Sequence, residues 1–447
     1  MKPVRALVAL VLVLIFIFSF ANGPAARAQQ AAAAPAPAAS RVEVPYAQFN
    51  LPNGLHVILH EDHTVPLLTV MGSGHVKYGV FDRLLESAGG TNNASTAADR
   101  TNYYIDVPSN ALDLALYLES DRMGYLLDAM SPQTVNAQRD VVKNERRENY
   151  ENAPYGMASI EIAQMLYPEG HPYRWPTIGY MEDLTAASYE DVLEFFRKYY
   201  QPANASLVVA GDINTAEARA KVEKWFADVK PGSGPVPPID YPHPMVSAVT
   251  RKTIQDRVQL PRLYLDWITP AHFQPGDAEL DVVSSLLAGG KNSRLYKRLV
   301  YELQIAQDVA AYQASQDLSS QFEILVTARP PKKGETATAA IDRIRGIVDE
   351  ELRTLQQTAP ASREFQRAIN QIESSFYDRM ERIGGFGGVG DQMNGYYTET
   401  GNPAYFNSDL ARYRALGPAD VTAAAAKLLP LDKRVELVVE PAKESAK

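Results

Sequence analysis

The sequence predicts an α+β fold of two homologous domains, each a mostly antiparallel sheet with helices packed on one face. Three observations carry this expectation. A proline-rich stretch splits the chain into halves of similar size, and the same helix, proline, strand succession closes both halves. Strands and helices also alternate without the strict βαβ rhythm of a parallel sheet.

The chain starts with an address, not a fold. Lys2 and Arg5 precede the uncharged run Ala6 to Phe20, and Ala26-Arg27-Ala28 offers a small-x-small cleavage pattern. Residues 1–28 therefore read as a signal peptide, and the mature protein is expected in the periplasm or the medium. A signal anchor is the alternative, although the apolar run falls short of the ~20 residues of a membrane span. No membrane span is expected in the mature chain. Residues 29–43 follow as an Ala/Pro-rich disordered tether.

The N-terminal domain spans 44–230. Pro52-Asn53-Gly54 is a turn signal ahead of the β-rich run Leu55 to Leu59. Leu112 to Leu127 repeats apolar residues at helical spacing, and Val135 to Asn149 reads as a charged helix. Asp191-Val192 opens a helix that runs into Pro202 and the strand Ser206 to Val209. Residues 231–245 form the linker, carrying Pro231, Pro235, Pro237, Pro238, Pro242 and Pro244. Such a run neither pairs into a sheet nor continues a helix. The C-terminal domain spans 246–441. Leu263 to Trp267, Phe322 to Ala328 and Val435 to Val439 read as strands. Leu280 to Leu287, Ile341 to Leu355 and Arg363 to Glu381 read as helices. Asp420-Val421 opens a helix that runs into Pro430 and a strand, which repeats the close of the first half and suggests duplication.

Composition excludes several chemistries. The 447-residue chain has no cysteine, so it has no disulfide, thiol nucleophile or lipoprotein anchor. Its 46% hydrophobic residues suffice for two cores. Removing Lys2, Arg5 and Arg27 leaves 41 basic against 53 acidic side chains, a net charge of −12. That balance argues against nucleic acid as a partner. No Walker-type loop or Gly-x-Ser-x-Gly elbow occurs, and Gly384 to Gly388 reads as a loop.

Histidine patterns are equally unproductive. His56 and His60 fall four apart on a predicted strand, roughly 13 Å from each other, too far to share one metal. His60 and His63 are expected to be solvated turn residues. His75 and His171 read as loop histidines. From the residues alone, no catalytic centre can be assembled.

Several motifs in order are recognisable. Leu51 to Leu59, the segment Phe81 to Thr96, and Asp99-Arg100-Thr101-Asn102-Tyr103-Tyr104 resemble the pitrilysin/insulinase family of zinc peptidases, which includes the mitochondrial processing peptidases. So do Val141 to Arg147, Tyr200 to Ala205 with Val208 to Asp212, and Leu287 to Gly290 with Ser293 to Tyr296. The resemblance covers nearly all of 44–441 and identifies the chain with the zinc-bearing subunit type.

The resemblance implies a zinc helix bearing His-x-x-Glu-His, whose two imidazoles on one helical face hold zinc while the glutamate activates water. No such motif occurs in this chain. Val65 to Val70 runs directly into Met71 to Gly79, as if the intervening segment were deleted. The resemblance makes Glu145 the position of the third zinc ligand, vestigial without companions. It makes Asn92, Asn93, Ala94, Ser95 and Thr96 the edge strand that binds peptide by β-addition. It places Val300 and Gln307 where active members or their partners carry an Arg/Tyr pair. No cofactor is expected, and the expected function is that of a catalytically inactive partner subunit or peptide-binding protein. A second peptidase-family chain and peptides would be its partners. The alternatives are a zinc metalloendopeptidase completing its site with His75 or another chain, and a non-functional deletion relic. Loss of the helix should leave the N-terminal domain weakened, remodelled or covered by a partner.

Overall fold

The structure, a computed structural model, describes residues 41–64, 67–70, 80–232, 234, 236 and 238–442. The expected signal peptide, nearly all of the tether, the junction 71–79 with His75 and parts of the linker lie outside the described residues.

In the first half the elements are β1 (Ala47–Asn50), β2 (His56–Glu61), β3 (Leu67–Val70), α1 (Val80–Ser87), β4 (Thr91–Thr96) and β5 (Thr101–Pro108). There follow α2 (Leu112–Ala129), α3 (Pro132–Arg146), α4 (Ala158–Leu166), α5 (Met181–Ala186), α6 (Tyr189–Tyr199), β6 (Ser206–Gly211) and α7 (Thr215–Phe226). The second half has β7 (Thr250–Asp256), β8 (Arg262–Thr269), α8 (Asp277–Ala288), a π-helical segment (Tyr296–Glu302), β9 (Ala306–Ala314) and β10 (Ser320–Ala328). It closes with α9 (Ala337–Gln357), α10 (Ser362–Met380), α11 (Val389–Thr400), α12 (Phe406–Arg414), α13 (Pro418–Leu428) and β11 (Val435–Pro441).

The sheets repeat one topology. The first has the order β1-β2-β6-β3-β5-β4, the second β7-β11-β8-β10-β9. Omitting β1, the two orders correspond strand for strand. In each, one pair is parallel, β2 with β6 and β7 with β11, and every other pair is antiparallel. The chain is a duplicated α+β unit.

Local chemistry places these elements. Gly54 holds φ +93° in the turn before β2, where a Cβ would meet Ala203 Cβ at 2.9 Å. Asn53 in the same turn donates to the carbonyls of Phe226 and Val229 at 2.8 and 2.9 Å, tying the turn to the end of α7. Ser131 and Ser188 cap α3 and α6 through reciprocal capping boxes.

Each sheet carries its own half's helices on one face. The other face is covered by the opposite half. Val57, Leu59, Leu207 and Val209 point into the core of the first half, while Ile58, Val208 and Ala210 join Val389 and Met393 of α11. Reciprocally, Val435, Leu437 and Val439 of β11 pack on Ala158, Ile162 and Leu166 of α4. Strands with both faces covered lose their apolar/polar alternation, which is why β2, β6 and β11 read as continuous apolar runs. Both sheets belong to one compact unit beginning at Val42.

Candidate functional site

The repeat defines what surrounds the candidate site. In the second half 26 residues, 270–295, lie between β8 and the π-helical segment, and they include the twelve-residue α8. In the first half nine residues, 71–79, lie between β3 and α1. Both α1 and the π-helical segment lead into the edge strand of their sheet, so they correspond, and among the described residues α8 has no counterpart. Nine residues cannot hold a twelve-residue helix and its connections. This is the interval where the family resemblance implies the helix bearing His-x-x-Glu-His.

Glu145 lies in the last turn of α3 and is exposed. It shares a helical face with Val142 and Asn149, both of which line a cleft of about 910 Å³ between the halves. Thr96, Tyr155, Ile162, Tyr264, Tyr312 and Glu323 also line it. The structure thus brings one end of β4 and the helix of Glu145 to the same cleft. Among the described residues, no three His, Cys, Asp or Glu side chains converge to hold a metal ion. The described residues therefore do not fit a zinc centre.

Asn92, Asn93, Ala94, Ser95 and Thr96 form β4, the outermost strand of its sheet, and all are exposed. On one side β4 pairs with β5, with Ala94 opposite Tyr103. The amide of Ala94 donates to Asn93 Oδ1 at 2.8 Å, so it does not enter that ladder. With the alternation of an antiparallel edge, the amides of Asn92, Ala94 and Thr96 face away from β5. An extended segment laid along β4 would meet the amides of Asn92 and Thr96, and would reach that of Ala94 by displacing the Asn93 side chain.

Val300 and Gln307 sit at the other edge. Val300 lies on the π-helical segment, half-buried against the second core. Gln307 is exposed near the start of β9, the outermost strand of its own sheet.

The histidines resolve differently from the sequence expectation. His56 is buried and stacked on Tyr397 at 3.7 Å, with Nδ1 2.6 Å from Asn50 Oδ1. His60 is not a solvated turn residue: it is buried on β2, with Nδ1 2.7 Å from the Pro45 carbonyl. Pairing of β1 along β2 covers it. His63 is exposed, as expected, between Glu61 at 2.9 Å and Asp212 at 2.5 Å, and these two carboxylates raise its pKa. His171 is fully buried among Tyr167, Tyr173 and Tyr241.

Sequence reasoning missed a buried carboxyl pair at the floor of the cleft. Asp266 on β8 and Glu323 on β10 stand directly opposite each other, 0% and 5% exposed. Gln321 Nε2 donates to Asp266 Oδ1 at 2.6 Å, and the Tyr312 hydroxyl donates to Glu323. Burial, reinforced by Glu323, pushes Asp266 well above the usual carboxylate range, and burial also raises Glu323. The pair therefore retains a proton. A carboxylate within each strand run was the available signal, but the register that joins them is not written in either run.

Comparison with known proteins decides the family. Residues 63–161 match the model of the insulinase family (peptidase family M16), and residues 186–372 match the model of the peptidase M16 inactive domain. The chain belongs to the insulinase family, peptidase family M16. Among M16 relatives, the zinc protease PqqE of Helicobacter pylori is 29% identical over 302 residues, covering 63% of this chain and 67% of that protein. The uncharacterized zinc protease YmxG of Bacillus subtilis is 24% identical, covering 67% and 68%. The fold is shared with the crystal structure of a protease from Helicobacter pylori, with TM-score 0.80, 23% identity, and 89% and 100% of the two chains covered. It is also shared with a peptidase M16 inactive domain from Pseudomonas fluorescens, with TM-score 0.74, 17% identity, and 90% and 98% covered.

Proposed function

We propose that this M16 chain is a catalytically inactive member of its family that binds extended peptide along β4 and needs no zinc. The observation that carries the reading is the nine-residue span between β3 and α1 where the second half holds α8. A lone carboxylate such as Glu145 lacks the three protein ligands of a hydrolytic zinc site. Peptide addition at an edge strand uses backbone groups, so it survives loss of catalytic side chains. In this reading the protein is exported to the periplasm or the medium, and cleavage belongs to a second peptidase-family chain to which it presents peptide.

The mature protein from Gln29 onward tests this directly. Metal analysis should give far less than one zinc per chain, and no peptide cleavage should be blocked by a chelator. A fluorescent unstructured peptide should bind, and Ala94→Pro should weaken binding about tenfold by removing one outward amide, with the melting temperature held. Stoichiometric zinc with chelator-sensitive cleavage would sink the proposal, as would undiminished peptide binding by Ala94→Pro.

A further inference from the structure

The uncovered side of the first half has a structural identity that the second half supplies. α6 and α13 occupy equivalent places: each precedes a proline and then the central strand, β6 or β11. α13 buries Val421, Ala424 and Ala425 and packs against α8 and α9. α6 carries Val192, Leu193, Phe195, Phe196 and Tyr199 within eleven residues, yet none of its residues is buried. Among the described helices of eight residues or more, no other lacks a buried residue. Phe195 is 50% exposed. Its ring lies 5.8 Å from Phe196 and 5.0 Å from Tyr199, so the exposed group is an aromatic cluster rather than one stray ring. Val192, Leu193, Phe196 and Tyr199 are half-buried beside α3, and a helix this apolar with no fully buried residue marks an interaction surface.

We propose that α6 is the contact between two copies of this chain, packed antiparallel about a two-fold axis near Phe195. Charge selects this occupant. Glu190, Asp191 and Glu194 occupy the N-terminal side of Phe195, and Arg197 and Lys198 the C-terminal side. An antiparallel pair of identical helices therefore sets the acidic turns of each against the basic turn of the other, while the aromatic clusters meet at the centre. A parallel pair would oppose like charges. Two-fold contacts use the same patch on both copies, so one contact covers both aromatic clusters. The contact is separate from β4 and independent of whether peptide binds there.

A contact built on one helix pair lies at the small end of stable interfaces, so dissociation is expected at about 1–10 μM. Sedimentation velocity on the mature chain between 0.5 and 100 μM tests this, and a concentration-dependent shift from monomer to dimer is the expected result. Phe195→Asp should raise the dissociation constant at least about thirtyfold, with an unchanged melting temperature because Phe195 is half exposed. Arg197→Glu with Lys198→Glu should weaken the dimer about tenfold, and adding Glu190→Lys with Glu194→Lys should restore it to within about threefold. A monomer throughout the range overturns the proposal. So does a dimer indifferent to Phe195→Asp, or a charge-reversed variant that the second pair of substitutions fails to rescue.

Discussion

Leu286 of α8, a helix packed against α13, is fully buried, whereas Leu193 of α6, on the helix equivalent to α13, remains half-exposed. The two halves share strand order and strand direction, yet their helical layers differ in kind. In the second half α8 packs on β9, α10, α12 and α13. In the first, α2 and α7 keep buried faces, but α3 buries one residue, Arg146, and α6 buries none. A sheet evidently keeps its topology when a covering helix is absent, because its ladder hydrogen bonds depend on neighbouring strands. Helices that rely on a neighbouring helix for cover, here α3 and α6, lose burial with it.

The largest test of that contrast is a matched pair of truncations. Leu286→Ala should lower the unfolding free energy by about 3–4 kcal/mol, a value ordinary for a filled core site, whereas Leu193→Ala should cost under about 1 kcal/mol. Chemical denaturation of both variants checks this. Equal losses would mean that the first half's helices are packed as tightly as the second's.

A comparable effect is expected at a buried charge network confined to the second half. Arg434, 1% exposed, pairs with Asp349 at 2.6 Å and Glu436 at 2.8 Å, and Glu436 also accepts from Arg251. Arg434→Ala removes one of the three guanidiniums around buried Glu436, leaving Arg251 and Arg345, and frees Asp349 of its partner, so it should cost about 2–3 kcal/mol. The aligned position at the start of β6 is Ala205, which carries no such duty.

A smaller effect, of opposite sign, is expected at Asp266. Its folded pKa lies above its unfolded value, so the folded state binds more protons and stability falls as pH rises from about 4. Asp266→Asn removes the charge while keeping the shape. It should raise the melting temperature at pH 8 and leave it nearly unchanged at pH 4, as thermal scans at the two pH values would report. The smallest effect belongs to His63. Because Glu61 and Asp212 flank it, its NMR titration midpoint should exceed 6.5, and His63→Gln should leave the melting temperature where it was.

Much of this architecture was legible in the sequence because its signals are local. The turn Pro52-Asn53-Gly54, the helix Leu112 to Leu127 and the two helix, proline, strand closures all carry their own periodicity or breaker residues. The reciprocal cover by α4 and α11 was not legible, since nothing in Ala158–Leu166 names a sheet a hundred residues away. The same holds for Asp266 and Glu323, which become neighbours only through register. His60 read as solvated because its cover, Pro45 and β1, arrives from a segment with few strand signals. At the candidate site, the absence of the histidine box and the edge position of Asn92 to Thr96 could be reasoned from motifs. The outward amide of Ala94 and the bare flank of α6 required coordinates.

The exchange of α4 and α11 ties the fate of each half to the other. Severing the chain within Pro231 to Pro244 would cut the thread without parting the fabric, since each fragment grips a strand layer belonging to its sibling. Produced separately, each piece would expose the floor its sibling normally roofs and would precipitate. Produced together, the two should find one another and melt in a single step.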